Sequence, residues 1–285
     1  MDLEALVKTI LLGGILLIVV SIGVRARPQD TLQLIRNPKL GLRAMTAMFV
    51  AVPAFVLIVT KFLPLDQPVR VALLALAISP MPPIVSKKEI KVGGDANYAI
   101  GLQVLGTLFS ILVVPFLIML FAKVFGMTVS FDPFGMSKLL IMTVGAPLLA
   151  GIIFGRLVPA WREPVAVWAG RLGTAALIIG AAAVLFKTWP MIMVLIGSGA
   201  LVVIITIILF ALAVGHWLGG PDAGNRGALA IACAARHPGV ALAISVGAFP
   251  GRQVELTGVV VVFLLANLAV TLPYAKWRQR ATARG

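Results

Sequence analysis

The chain has 285 residues, of which 60% are hydrophobic and 12% charged, with a mean hydropathy of +1.07 and a formal net charge of +14. A soluble domain carries about 25% charged residues, so this composition excludes a water-soluble globular protein and predicts an integral membrane protein. The basic excess follows from Lys and Arg gathering at one membrane face, and no nucleic-acid partner is expected.

Apolar runs bounded by proline, glycine and charge predict nine spans, near 4–24, 41–63, 68–93, 95–123, 135–158, 164–187, 190–218, 222–249 and 252–275. The first ends in Arg25 and Arg27 with no small-residue cleavage site, and reads as a retained span. With the N-terminus outside and the C-terminus cytoplasmic, most Lys and Arg fall on the cytoplasmic side, which is the favoured orientation for a multi-pass protein of the plasma membrane. Cys233 is the lone cysteine, so there is neither an internal disulfide nor a cysteine-built metal site, and no cofactor is expected.

The third span is interrupted by Ser79-Pro80-Met81-Pro82-Pro83. Pro80, Pro82 and Pro83 remove backbone donors and clash with the preceding turn, so no continuous helix passes this point. Lys87, Lys88, Glu89 and Lys91 follow where hydrocarbon depth is expected. Three such cations would cost roughly 7 to 11 kcal/mol at the bilayer centre, so they line a polar site or anchor the cytoplasmic end. The eighth span breaks at Arg236-His237-Pro238-Gly239. Arg236 is always charged and too deep to snorkel easily; it either binds an anion or pairs with Glu89. His237 is either a proton relay or a hydrogen-bonded structural residue. On the fourth span Gln103, Thr107 and Ser110 form one polar line that faces the bundle, with Gln103 long enough to reach a ligand.

Two interrupted spans, five apart, cross in opposite directions and predict inverted repeats with a site near the midplane. The fold class is therefore an all-α polytopic membrane protein with nine spans, two crossed discontinuous helices and inverted repeats. It forms one transmembrane domain over 1–285, with repeat one at about 1–124, a connecting span at about 135–158 and repeat two at about 164–277. The cations at the breaks outnumber nearby acids, which points to a small organic anion as the partner beside the lipid bilayer. No span carries a paired-carboxylate, Ser-His or His-cluster arrangement, so an enzyme is not expected.

At the breaks the chain resembles the bile acid:sodium symporter family. The family pattern Pro-Gly-Gly-Thr-Ala-Ser-Asn falls on Pro80 to Ser86, with Gly94-Asp95 matching its following Gly-Asp pair, and Glu-Val-Gly-Met-Gln-Asn-Ser-Gly falls on Ala232 to Gly239. The resemblance implies crossed helices framing a substrate site, and a core bundle that moves against a panel including the first, fifth and sixth spans. It also implies sodium ligands at positions that here hold Ala232, Val85, Ser86, Ala99 and Gln103. Alanine cannot neutralise sodium and the adjacent cations repel it, so sodium coupling is not expected, whereas Lys87, Lys88 or His237 could carry a proton. The substrate-binding candidates are Arg236, His237, Lys87, Lys88, Ser86 and Gln103, and the helix-break set is Pro80, Pro82, Pro83, Pro238 and Gly239. The expected function is secondary or facilitative transport of a small organic anion by alternating access. The alternative is a receptor or assembly subunit that retains the transporter frame.

Overall fold

The computed structural model describes residues 3–26, 34, 36–126, 133–249 and 251–282, and all regular structure among them is helical. The helices are α1 (Leu3–Arg25), α2 (Pro38–Thr46), α3 (Val52–Phe62), α4 (Gln67–Ile78), α5 (Ser86–Lys91), α6 (Ala96–Phe125), α7 (Pro133–Leu140), α8 (Ala146–Leu157), α9 (Arg162–Gly197), α10 (Ala200–Leu218), α11 (Ala223–Ala234), α12 (Pro238–Ala248) and α13 (Gln253–Thr282). Among the described residues, seven helical stretches are long and apolar enough to cross a membrane, and two further apolar helices, Gln67–Ile78 and Ile141–Leu157, are shorter. The chain is thus a multi-pass membrane protein. Where nine full spans were expected, the stretches at 68–93 and 135–158 supply only these shorter helices. Prolines divide the first of them, and the second is joined to α7 through a π turn.

The boundary expected at 187–190 lies instead at Ser198 and Gly199. Pro190 stays inside α9, as prolines do in membrane helices, and the chain turns where Gly199 adopts φ +78, a conformation that suits glycine.

Proline also explains two π turns. Ala47–Ala51 links α2 to α3, and the Val52 amide bonds the Ala47 carbonyl instead of that of Met48. The next donor in a π pattern would belong to residue 53, which is Pro53 and has none, so the Met48 carbonyl is left without a helical partner. Ile141–Gly145 repeats the arrangement ahead of Pro147, with the Ala146 amide on the Ile141 carbonyl. In α6, Pro115 frees the Ile111 carbonyl, and the Ser137 hydroxyl donates to it across the bundle at 3.1 Å.

Helix α1 packs against both α8 and α9, which brings together the helices of the expected first, fifth and sixth spans. Small residues set their approach. A methyl on Gly23 would stand 2.3 Å from the Leu148 carbonyl oxygen, and one on Gly155 2.4 Å from that of Val24. The register is antiparallel between α1 and α9: Gly14 meets Gly173, Leu11 meets Gly180, the Ser21 hydroxyl donates to the Ala166 carbonyl, and Arg25 pairs with Glu163 at 2.8 Å. Between lipid-exposed helices such close contact replaces the hydrophobic drive that water supplies elsewhere. The remaining helices form a larger buried body with α4, α11 and α12 at its centre and α5 at its edge.

Candidate functional site: the crossing of two broken helices

In each break a residue before proline is held out of the helical region, and in the second the chain is already extended at Ala235 (φ −85, ψ 134). Ser79, before Pro80, is extended at φ −66, ψ 143, and His237, before Pro238, lies at φ −76, ψ 107. The half-helices then pair crosswise. α4 packs on α12, and α5 packs on α11, so the two arms run in opposite directions through one another.

The arms are clasped by the groups that the breaks release. The His237 amide donates to the Pro80 carbonyl at 2.8 Å. The Arg236 guanidinium donates to the Ser79 carbonyl and to the orphaned Met48 carbonyl, each at 3.3 Å. The Ala234 carbonyl, at the end of α11, accepts from the Asn267 side chain of α13 at 2.8 Å. An Arg236–Glu89 pair, the structural alternative raised by the sequence, does not form. Arg236 is buried, and its acceptors, the Met48 and Ser79 carbonyls, are neutral. Its positive charge therefore has no anionic counterpart among the described residues.

His237 also caps α12: its Nδ1 accepts from the Val240 amide at 3.4 Å. With Nδ1 accepting, the neutral ring carries its proton on Nε2, which is then a donor. Among the described residues that Nε2, which is buried, has no partner. Ser86 opens α5, and its buried hydroxyl is likewise without a partner among the described residues. Gln103, on α6, donates from its amide nitrogen to the Thr107 hydroxyl at 3.4 Å, while its carbonyl oxygen has no partner among the same residues. Thr107 and Ser110 are buried too, so the whole polar line faces the bundle as its spacing predicted. Polar atoms buried without partners are uncommon, and each marks a place for water or a ligand.

Other candidates are placed differently. Lys88 and Lys91 are exposed on one side of α5, consistent with anchoring at a membrane face, while Glu89 is buried on the other. The side chains of Lys87 and Pro83 lie outside the described residues. α5 has only six residues, so of the two half-helices that follow the breaks only the eleven-residue α12 presents a helix N-terminus of useful length. The acids Asp95 and Asp222 are spent as caps, accepting from the Tyr98 amide at 2.9 Å and the Asn225 amide at 2.7 Å. The Met48 carbonyl and the buried Tyr98 hydroxyl are site features that reading the sequence missed. Pro53 was the available signal for the first.

Helix α1 reaches the crossing. It packs on Pro83–Val85, and a methyl on Gly239 would stand 3.5 Å from His237 Cε1 and 3.6 Å from Ile15 Cδ1. The cavity against Arg236, lined also by Cys233, Leu76 and Phe263, holds ≈ 10 Å³, room for about one water. A larger cleft of ≈ 400 Å³ lies between the end of α9 and the starts of α4 and α13, lined by Asp66, Gln67, Leu195, Ser198, Arg252 and Glu255 among others. Arg252 is paired with Glu255 there at 2.8 Å.

No group of three or more His, Cys, Asp or Glu side chains among the described residues is placed to hold a metal ion. No curated protein matches the chain. The sodium bile acid symporter family model matches residues 12–216, from α1 through the first break and the panel to α10, and ends before the second arm. Well over half of the chain is covered by that match, and the chain belongs to the sodium bile acid symporter family.

Proposed function

We propose that this protein transports a small organic anion across the plasma membrane by alternating access, as a secondary or facilitative carrier, with the anion held at the crossing. The observation that carries the reading is Arg236: a buried guanidinium whose acceptors are all uncharged. A positive charge at this depth without a counter-ion is expensive, and a bound anion offsets the cost. His237 Nε2–H and the start of α12 present donors to the same species, while Ser86 and Gln103 supply the remaining polar atoms that orient it. Arg236 acts mainly through its field, since its guanidinium already holds the two arms together through Met48 and Ser79.

The cavity beside Arg236 is too small for an organic anion, so entry requires motion. The packing suits movement of the crossed core against the α1, α8 and α9 panel, with the cleft beside α9 on the path to one face. Repeats covering about 1–124 and 164–277 and an outside N-terminus complete this reading. Sodium coupling is not part of it, because Ala232 stands where the family pattern has a glutamate and Arg236 is fixed nearby.

The test is thermal stabilisation of the purified protein by a panel of small carboxylates and sulfonates, in choline and in sodium buffers. Concentration-dependent stabilisation in both buffers is expected. No stabilisation by any anion, or stabilisation that appears only with sodium, would contradict the proposal.

A further inference from the structure

We infer that Glu89 is a proton-binding site of the core, separate from the anion contacts at the crossing. Glu89 has no exposed surface, and neither carboxyl oxygen has a partner among the described residues. It differs in this from the other described acids: Asp95 and Asp222 cap helices at the surface, Glu163 and Glu255 are in ion pairs, and Asp66 is exposed at the cleft.

Among the described residues, the elements packed on α5 make no hydrogen bond or ion pair to the Glu89 carboxyl. From α6 comes Tyr98, whose buried hydroxyl also lacks a partner among the described residues. From α11 come Cys233, buried, and Arg226, which is exposed and donates to the Gly220 carbonyl at 2.7 Å. From α13 come Tyr274, bonded to His216, and Arg278, bonded to the Ala223 carbonyl. On α5 itself Lys88 and Lys91 point to the surface. An ionised carboxylate in such surroundings makes neither an ion pair nor a hydrogen bond among the described residues to offset its desolvation, so the group holds a proton. A metal cation is a poorer occupant, because among the described residues no cluster of acidic or imidazole ligands surrounds Glu89. Exposed residues on either side of Glu89 in a helix of one and a half turns leave the proton a short way to water once the packing against α11 loosens. The proton site stands on this geometry alone; that its proton is exchanged during the transport cycle rests on the function proposed above.

Infrared difference spectroscopy of the purified, folded protein tests the site without any substrate. The expected result is a carbonyl band of a buried neutral carboxylic acid at neutral pH, absent in Glu89→Gln and displaced but present in Glu89→Asp. The Asp variant decides the matter if the Gln variant does not fold. Absence of the band at neutral pH, its persistence in Glu89→Gln, or an unmoved band in Glu89→Asp would overturn the proposal. So would loss of the band on replacing choline chloride with sodium chloride at fixed pH, since Glu89 would then be a sodium ligand. Failure of anion binding together with an intact Glu89 band would sink the transport reading and leave the proton site standing.

Discussion

Arg236 and His237 are adjacent, yet the structure gives them separable jobs. Replacing Arg236 with alanine leaves the buried Met48 and Ser79 carbonyls without their guanidinium donor. A loss of about 1–3 kcal/mol per unsatisfied group is expected, so Arg236→Ala lowers the melting temperature and abolishes anion stabilisation together. His237→Asn is the cleaner probe. Asparagine still accepts from the Val240 amide as an N-cap, and the backbone bond from residue 237 to the Pro80 carbonyl does not involve the side chain. The variant should melt near the parent while binding the anion roughly 10-fold or more weakly, as expected for loss of one buried donor. Unchanged affinity would remove His237 from the site. The breaks themselves were legible as Pro80, Pro82, Pro83, Pro238 and Gly239, because proline chemistry is local. The partner of Arg236 was not. It is a main-chain carbonyl 188 residues away, freed by a π turn, and carbonyls carry no sequence identity.

At the scale of elements, the panel depends on glycine in a way that a single methyl tests. Gly23 of α1 has the Leu148 carbonyl where a Cβ would go, whereas Gly13, on the same helix, has nothing within 4 Å. Gly23→Ala therefore forces α1 and α8 apart and should destabilise the protein by about 1–3 kcal/mol. Gly13→Ala should be neutral or stabilise by up to about 1 kcal/mol through its helix preference. Thermal melts of the two variants in one detergent decide it, and equal melting temperatures would mean that the close approach does not matter. The grouping of these helices was expected from the family resemblance, while their boundaries came from hydropathy. Hydropathy failed at 187–190 because proline was taken as a stop, and inside a membrane helix Pro190 is merely a missing hydrogen bond.

On the scale of the whole molecule, the proposed function makes the crossed arms, the unpartnered polar atoms around them and the panel a carrier in which the fixed charge of Arg236 takes the electrostatic place of a sodium ion. Composition alone made the membrane class legible, and the Lys and Arg pattern gave an orientation; the enclosed character of the site needed three dimensions, since Ser86, Gln103 and His237 are each ordinary in sequence. Because Glu89 binds a proton in the packed core, an inward pH gradient should accelerate uptake of the transported anion in the parent and leave Glu89→Gln unaccelerated, whereas exchange without a gradient should survive the substitution. The most direct test of the central claim is counterflow in proteoliposomes: labelled small organic anions outside, an excess of the unlabelled anion inside, and sodium replaced by choline throughout. The account predicts transient accumulation of at least one labelled anion under these sodium-free conditions. Accumulation that requires sodium, or stable binding without any exchange, would contradict it.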